Sequence, residues 1–238
     1  MTAAVVGTDD VASEERADAF TEVLADRWSC RAFLPEPVPT DVLRRMFDMA
    51  QRTASWCNTQ PWHVYVATGG PVRDLASRLV DSAQTSTGNP DIAPPEKYVG
   101  VYRERRREAG FALYRSLGIE REDREGRAQQ MLKNFEFFNA PHVAIITTDR
   151  LQGAYGAIDC GGYVTNLLNA ATSLGVATIP QAAIAMHPDP VRAYFDIPDD
   201  RQIVCAVSFG YADAGHPAND FRTTRASVDE AVTFVGQP

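Results

Sequence analysis

Residues 27–62 read RWSCRAFLPEPVPTDVLRRMFDMAQRTASWCNTQPW, two short polar motifs separated by a proline-rich link and an amphipathic helix. The first motif, Arg27-Trp28-Ser29-Cys30-Arg31, offers two planar guanidinium forks and a short hydroxyl, groups suited to a phosphate. The second, Ser55-Trp56-Cys57-Asn58-Thr59-Gln60-Pro61-Trp62, adds a hydroxyl and the amides of Asn58 and Gln60, which donate and accept at once. A plainer reading has Ser55 capping a turn, Asn58 tolerating a left-handed backbone and Trp62 in the core. Between the motifs, Pro35, Pro37 and Pro39 impose extended chain, because each lacks an N–H and restricts its predecessor. Val42, Leu43, Met46, Phe47 and Ala50 then recur at helical spacing, with Arg44, Arg45 and Asp48 toward water.

Outward from this stretch, helices and strands alternate irregularly. Residues 1 to about 12 read as a tail and Ser13 as a capped helix start. His63 to Thr68 alternates as a strand should, and a helix follows from Val72 to about Ala83. TSTGNPDIAPPEK is a breaker-rich loop, followed by two charged helical patterns, Tyr98 to Leu117 and Glu122 to Phe138. His142 to Thr148 is a buried strand, and Gly153 to Leu174 carries the strongest apolar stripe, Val164, Leu167, Leu168, Ala171 and Leu174, up to a stop at Gly175. A strand over Val176 to Ile179, a turn at Pro180 to Ala183, a helix over Asp189 to Phe195 and a strand over Ile203 to Gly210 complete the pattern. This order predicts an α+β fold, with a central, mainly antiparallel mixed sheet flanked by helices. Residues 1–238 read as one domain, with about 85–138 a helical flap over the site and 211–238 an arm with little core of its own.

Composition narrows the function. An apolar content of 45% and a charged content of 23% allow a sizeable core. A net charge of −8 disfavours nonspecific nucleic-acid binding, which needs a basic face, and favours a small-molecule partner. The N-terminus lacks a basic region ahead of an apolar core, and no run approaches the roughly 18 apolar residues of a membrane span, so the expected location is cytoplasmic. Cys30, Cys57, Cys160 and Cys205 are widely spaced and read as reduced thiols, with no metal site indicated. His63, His142, His187 and His216 assemble no hydrolase triad.

In order and spacing the two motifs resemble the signature of the nitroreductase family, dimeric flavoenzymes in which Arg-x-Ser-x-Arg/Lys and Ser-x-x-Asn-x-Gln-Pro-Trp hold FMN. The resemblance extends over Ala140-Pro141-His142 and its strand, the long helix, the Ile179-Pro180 turn and the basic Phe221-Arg222-Thr223-Thr224-Arg225. It implies that Arg27, Ser29, Arg31 and Arg225 hold the phosphate and pyrimidine end, while Ser55, Asn58 and Gln60 line the ring and ribityl chain. The residue types agree with that: a flavin needs cations and hydroxyls for its phosphate, two-way amides for its imide edge, and positive charge near N1 on reduction. The absence of a Gly-x-Gly-x-x-Gly turn favours FMN over FAD.

The family commonly presents Pro-x-Glu-Gly with backbone N–H groups directed at flavin N5, and this chain has Pro180-Gln181-Ala182-Ala183, which nominates Pro180 and Ala182. The missing Gly bears on the backbone geometry there. Lys97 is the residue offered for the lysine that many members place near N1, at a different spacing. No side chain is nominated as catalytic, because the flavin carries the chemistry. The resemblance further implies a homodimer burying the long helix, an arm laid across the partner, and NAD(P)H as hydride donor to an electron-poor acceptor such as a nitroaromatic or quinone. Rivals on the same scaffold are a dehalogenase, an ene reductase, a flavin-fragmenting enzyme and a non-catalytic FMN-binding or redox-sensing protein. Cys57 reads as a small residue in restricted space or as a redox thiol. The Arg103 to Arg107 run reads as a solvated helix face balanced by Glu104 and Glu108, or as a site for the 2′-phosphate of NADPH.

Overall fold

Every residue from His142 to Thr148 is buried, because this strand lies at the middle of the sheet with helices on both of its faces. The computed structural model describes residues 8–236. Its helices and strands are α1 (Thr8–Asp26), α2 (Thr40–Ala50), β1 (Trp62–Thr68), α3 (Gly70–Thr85), α4 (Gly100–Ser116), α5 (Arg124–Leu132), β2 (His142–Asp149), α6 (Gly153–Ser173), β3 (Ala177–Gln181), α7 (Ala182–Ala185), α8 (Pro188–Phe195), β4 (Arg201–Gly210) and α9 (Val228–Ala231). The strands pair antiparallel throughout, in the order β1-β2-β4-β3. The mixed character expected of the sheet comes down to an isolated parallel bridge, Ser29 to Thr178. None of the described helices is long and apolar enough to cross a membrane.

The period of two along β2 divides the core. Ala144 and Ile146 face α2 and α6, where Met46, Tyr163, Leu167 and Ala171 pack, while Val143 and Ile145 face Leu75 and Leu79 of α3 and Val191 of α8. His142, 1% exposed, staples the proline link to this sheet. The Val38 N–H donates to its Nε2 at 2.8 Å, and its Nδ1 lies 3.2 Å from Thr68 Oγ1. An acceptor at Nε2 requires the neutral ring, and burial accordingly lowers its pKa. The loop over 86–99 is anchored in the same manner by Asp91, whose carboxylate meets Arg150 and Arg192 at 2.6 Å each and accepts from the Ile203 N–H at 2.8 Å.

Three expectations are corrected. Helix α1 begins at Thr8 rather than Ser13, so only residues 1–7 of the expected tail lie outside the described residues. The second charged helix ends at Leu132 instead of continuing to Phe138, because Phe137, Phe138 and Asn139 take left-handed backbone, with φ of 54°, 53° and 63°. That turn sends the Phe137 ring into the α3 core and the Phe138 ring toward Cys30 and Ile179, two burials a continued helix could not make together. Pro180 stands inside β3, opposite Val207, and Ala182 opens a helix, so the expected turn is absent. β3 is the edge strand, where a residue without an N–H is tolerated.

Candidate functional site

The first motif is drawn alongside β3 by the Ser29 bridge and by the Cys30 N–H, which donates to the Thr178 carbonyl at 2.9 Å. Asn219, 6% exposed, then binds the C-terminal arm to the same motif. Its Oδ1 accepts from the Arg31 N–H at 2.8 Å, and its Nδ2 donates to Ala32 O at 2.9 Å and Asp213 O at 2.8 Å. Arg222 lies over the Trp28 ring at 4.1 Å and Arg31 over Phe221 at 5.3 Å. The outcome is a cavity of about 320 Å³ lined by Arg27, Ser29, Arg31, Arg222 and Arg225, with Trp28, Phe221 and Thr223 among the other walls. Arg27, Ser29, Arg31 and Arg225 are thus brought together from the two ends of the chain.

Among the described residues, no carboxylate lines this cavity. The hydrogen bonds of its guanidinium groups go to neutral acceptors: Arg31 to Ser29 O at 3.0 Å, Arg222 to Asn219 O at 2.8 Å, and Arg225 to Thr224 O and Thr223 Oγ1 at 2.8 Å each. Burial lowers the pKa of Arg27, and the nearby charge of Arg225 lowers it further. Burial likewise lowers that of Arg31. Four cations line one cavity that no carboxylate of the described residues lines, a set of donors whose charge and chemistry suit a phosphate monoester. Asn219, Trp28 and Arg222 were not singled out as site residues in the sequence. Arg222 stood in the basic C-terminal motif, but nothing in composition ties Asn219 to a motif 188 residues away.

Ser55, Asn58 and Gln60 form a second group that lines no part of that cavity. Ser55 Oγ accepts from the Gln60 N–H at 2.9 Å, and Gln60 Nε2 donates to Asn58 Oδ1 at 3.2 Å. Cys57, Asn58 and Gln60 hold φ of 48°, 55° and 46°, a left-handed backbone that costs non-glycine residues energy and fans their side chains into solvent. Trp56 anchors this loop to α6: its N–H donates to the Asp159 carboxylate at 3.1 Å, and its ring lies 4.4 Å from that of Tyr155. Trp62 is core, stacked at 5.0 Å on Tyr163. Cys57 is exposed, whereas burial pushes the thiols of Cys30 and Cys160 up to about 11 and that of Cys205 to about 12.

Pro180 and Ala182 are exposed and flank Gln181, which is 2% exposed. Gln181 Nε2 donates to Asn134 O at 2.8 Å, and its Oε1 accepts from Ser208 Oγ, so one amide fixes the end of β3 to β4 and to the chain after α5. Ala183, where the family motif has Gly, lies in right-handed helix and needs no glycine. Lys97 is exposed and lines neither this cavity nor the neighbouring one beside α4. Beside the second motif, Leu151, Tyr155 and Ile158 of the α6 side are 94%, 53% and 64% exposed.

The chain is 36% identical over 223 residues to a 4-nitrobenzoate reductase of Nocardioides sp. (strain LMS-CY), covering 92% of this chain and 90% of that protein. It is 35% identical over 219 residues to the nitroreductase NfnB of Mycolicibacterium smegmatis, with 92% and 93% covered. The crystal structure of the FMN-dependent nitroreductase NfnB from Mycobacterium smegmatis in complex with NADPH superposes with a TM-score of 0.89 at 34% identity, covering 92% of this chain and 99% of that one. The family model described as Nitroreductase family matches residues 24–211, a span that holds both motifs and the whole sheet, and the chain belongs to that family.

Proposed function

We propose that this protein is an FMN-dependent oxidoreductase that carries hydride from NADPH to a nitroaromatic acceptor. The observation that carries the reading is the acid-free cavity of Arg27, Ser29, Arg31 and Arg225, a built site for a phosphate. The proteins most like this chain supply the rest: a 4-nitrobenzoate reductase and an FMN-dependent nitroreductase crystallised with NADPH. Bound FMN would supply the two-electron carrier that no side chain here provides. Arg27 and Arg225 would neutralise its phosphate, Ser29 would donate to it, and Arg31 would hold positive charge toward the ring. The Ala182 N–H, which follows the anchored Gln181, would present a fixed donor to the ring edge.

Residues 1–238 act as one domain in this reading, and the site is completed by a second copy. Ser55, Asn58 and Gln60 stand apart from the phosphate cavity, and the exposed apolar side chains beside them, Trp56, Tyr155 and Ile158, need a cover. A homodimer built on α6 provides both, bringing the amides of one subunit to the arginines of the other. Val232, Phe234 and Val235, 46%, 63% and 97% exposed at the end of the arm, would lie across the partner. A cytoplasmic location is part of the same proposal.

Two measurements on the purified protein test this. Heat-released cofactor should be FMN by mass, and NADPH oxidation should accelerate when 4-nitrobenzoate is added. Absence of flavin after reconstitution, or release of FAD, overturns the reading. A flavin-loaded protein that oxidises no nicotinamide cofactor leaves a binding protein in place of an enzyme.

A further inference from the structure

The four arginines in the Arg103 to Arg107 run of α4 differ in what they meet. Arg106 lies over the Tyr98 ring at 5.0 Å and Arg107 over Phe111 at 5.7 Å, as cations on a solvated face do. Of the run, Arg105 alone lines a cavity of about 560 Å³ between α4 and the C-terminal arm. Arg222, Thr223 and Arg225 line both this cavity and the phosphate cavity, so the two share a wall.

Arg105 is held ready for an anion. Among the described residues its guanidinium makes no side-chain hydrogen bond, and its ion-pair neighbour, Glu230 Oε1, is 3.7 Å away. A charge-assisted hydrogen bond is shorter, about 2.7–2.9 Å. Glu230 is kept from closing that gap by its capping role, since its Oε2 accepts from the Ser227 N–H at 3.1 Å. The cavity holds three guanidinium groups against two carboxylates, those of Glu108 and Glu230, and Glu108 takes the Thr224 hydroxyl at 3.4 Å. Ala109 and Ala112 of α4 and Ala226 and Ala231 of the arm carry nothing beyond Cβ, so helix and arm leave an apolar slot between them.

We propose that this slot receives the adenosine 2′-phosphate end of NADPH, and that Arg105 distinguishes NADPH from NADH. The inference rests on the FMN and NADPH reading above. A dinucleotide whose nicotinamide reaches a flavin held by Arg27 and Arg225 has its far end to place, and the cavity across the shared wall offers space, an alanine slot for a planar base and a guanidinium fork for a phosphate dianion. Arg105 is a specificity-determining residue and takes no part in the hydride transfer.

The test compares the FMN-loaded wild type with Arg105→Ala, and with Arg106→Ala as a control on the same helix. The probes are 2′,5′-ADP and 5′-AMP, which differ only in the 2′-phosphate, bound in a titration without turnover. Arg105→Ala should weaken 2′,5′-ADP roughly ten- to hundredfold, the loss of one charge-assisted hydrogen bond, and raise the KM for NADPH far more than that for NADH. Arg106→Ala should bind 2′,5′-ADP as the wild type does. Equal affinity of the wild type for the two nucleotides overturns the inference, as does an Arg105→Ala protein with wild-type 2′,5′-ADP affinity. A variant whose KM rises for 4-nitrobenzoate but not for nitrobenzene or NADPH would assign Arg105 to an acceptor carboxylate and overturns it equally. A wild type that binds no FMN instead fails the underlying reading, a result visible before any variant is made.

Discussion

Arg27 and Arg225, 198 positions apart in the chain, share one cavity closely enough that the charge of the second lowers the pKa of the first. Such a pair repels until an anion lies between its members. Arg225→Ala should therefore cost the ligand-free protein little, because Arg225 is exposed, while weakening FMN roughly ten- to hundredfold. Flavin fluorescence titration of the apoprotein checks this, and an unchanged affinity would place the phosphate elsewhere.

Gln181→Leu removes the amide that joins β3 to Ser208 and Asn134 and leaves a buried hydroxyl and a carbonyl without their partner. The expected loss is about 1–3 kcal/mol of stability. Adding Ser208→Ala should recover part of it, since the orphaned hydroxyl is then gone. Urea denaturation of both single variants and the double variant gives the answer, and strictly additive losses would show that the Ser208 bond contributes nothing.

The neutral His142 ring makes stability pH-dependent in one direction. Its folded pKa lies below the unfolded value of about 6.5, so in this window the unfolded chain binds more protons and stability rises with pH. Unfolding free energy should therefore fall as pH drops from about 7 toward 5, with protonation at Nε2 breaking the Val38 bond. His142→Gln should flatten part of that slope. The rest persists because burial lowers the pKa of His187 in the same direction. A variant with the wild-type slope would exclude His142 as its source.

Ile158→Arg places a charge on the exposed apolar side of α6 without touching the phosphate cavity. If a second copy covers this face, the variant should run as a monomer and lose FMN together with the dimer. Light scattering alongside flavin absorbance reads both quantities. A monomer that keeps full FMN occupancy would show that one chain holds the cofactor unaided.

Much of this arrangement is readable from local pattern. β2 announces itself because a strand apolar on both faces must lie inside a sheet, and α6 because its apolar stripe runs to a glycine stop whose φ is 72°. The end of α5 departs from the sequence pattern for a tertiary reason: Phe137 and Phe138 fit a helical pattern, and only the existence of two separate clusters to fill makes the chain reverse its handedness there. In the sequence Pro180 reads as punctuation, because its place at the edge of a sheet is a fact of topology. The bond from Asn219 to Arg31 left no trace in spacing or composition, whereas the arginines it helps to gather were recognisable as a motif.

Pro180 also decides how this protein can fail to fold. The Thr178 carbonyl points away from β4 to meet Cys30, and two residues on, the same outward side of β3 would carry the N–H that proline lacks. A stray strand seeking to extend the sheet at this border finds one segment of it already taken by Ser29 and Cys30 and the next unable to donate. At this border, edge-to-edge strand addition is disfavoured by backbone chemistry alone, without any charged side chain of β3 guarding it.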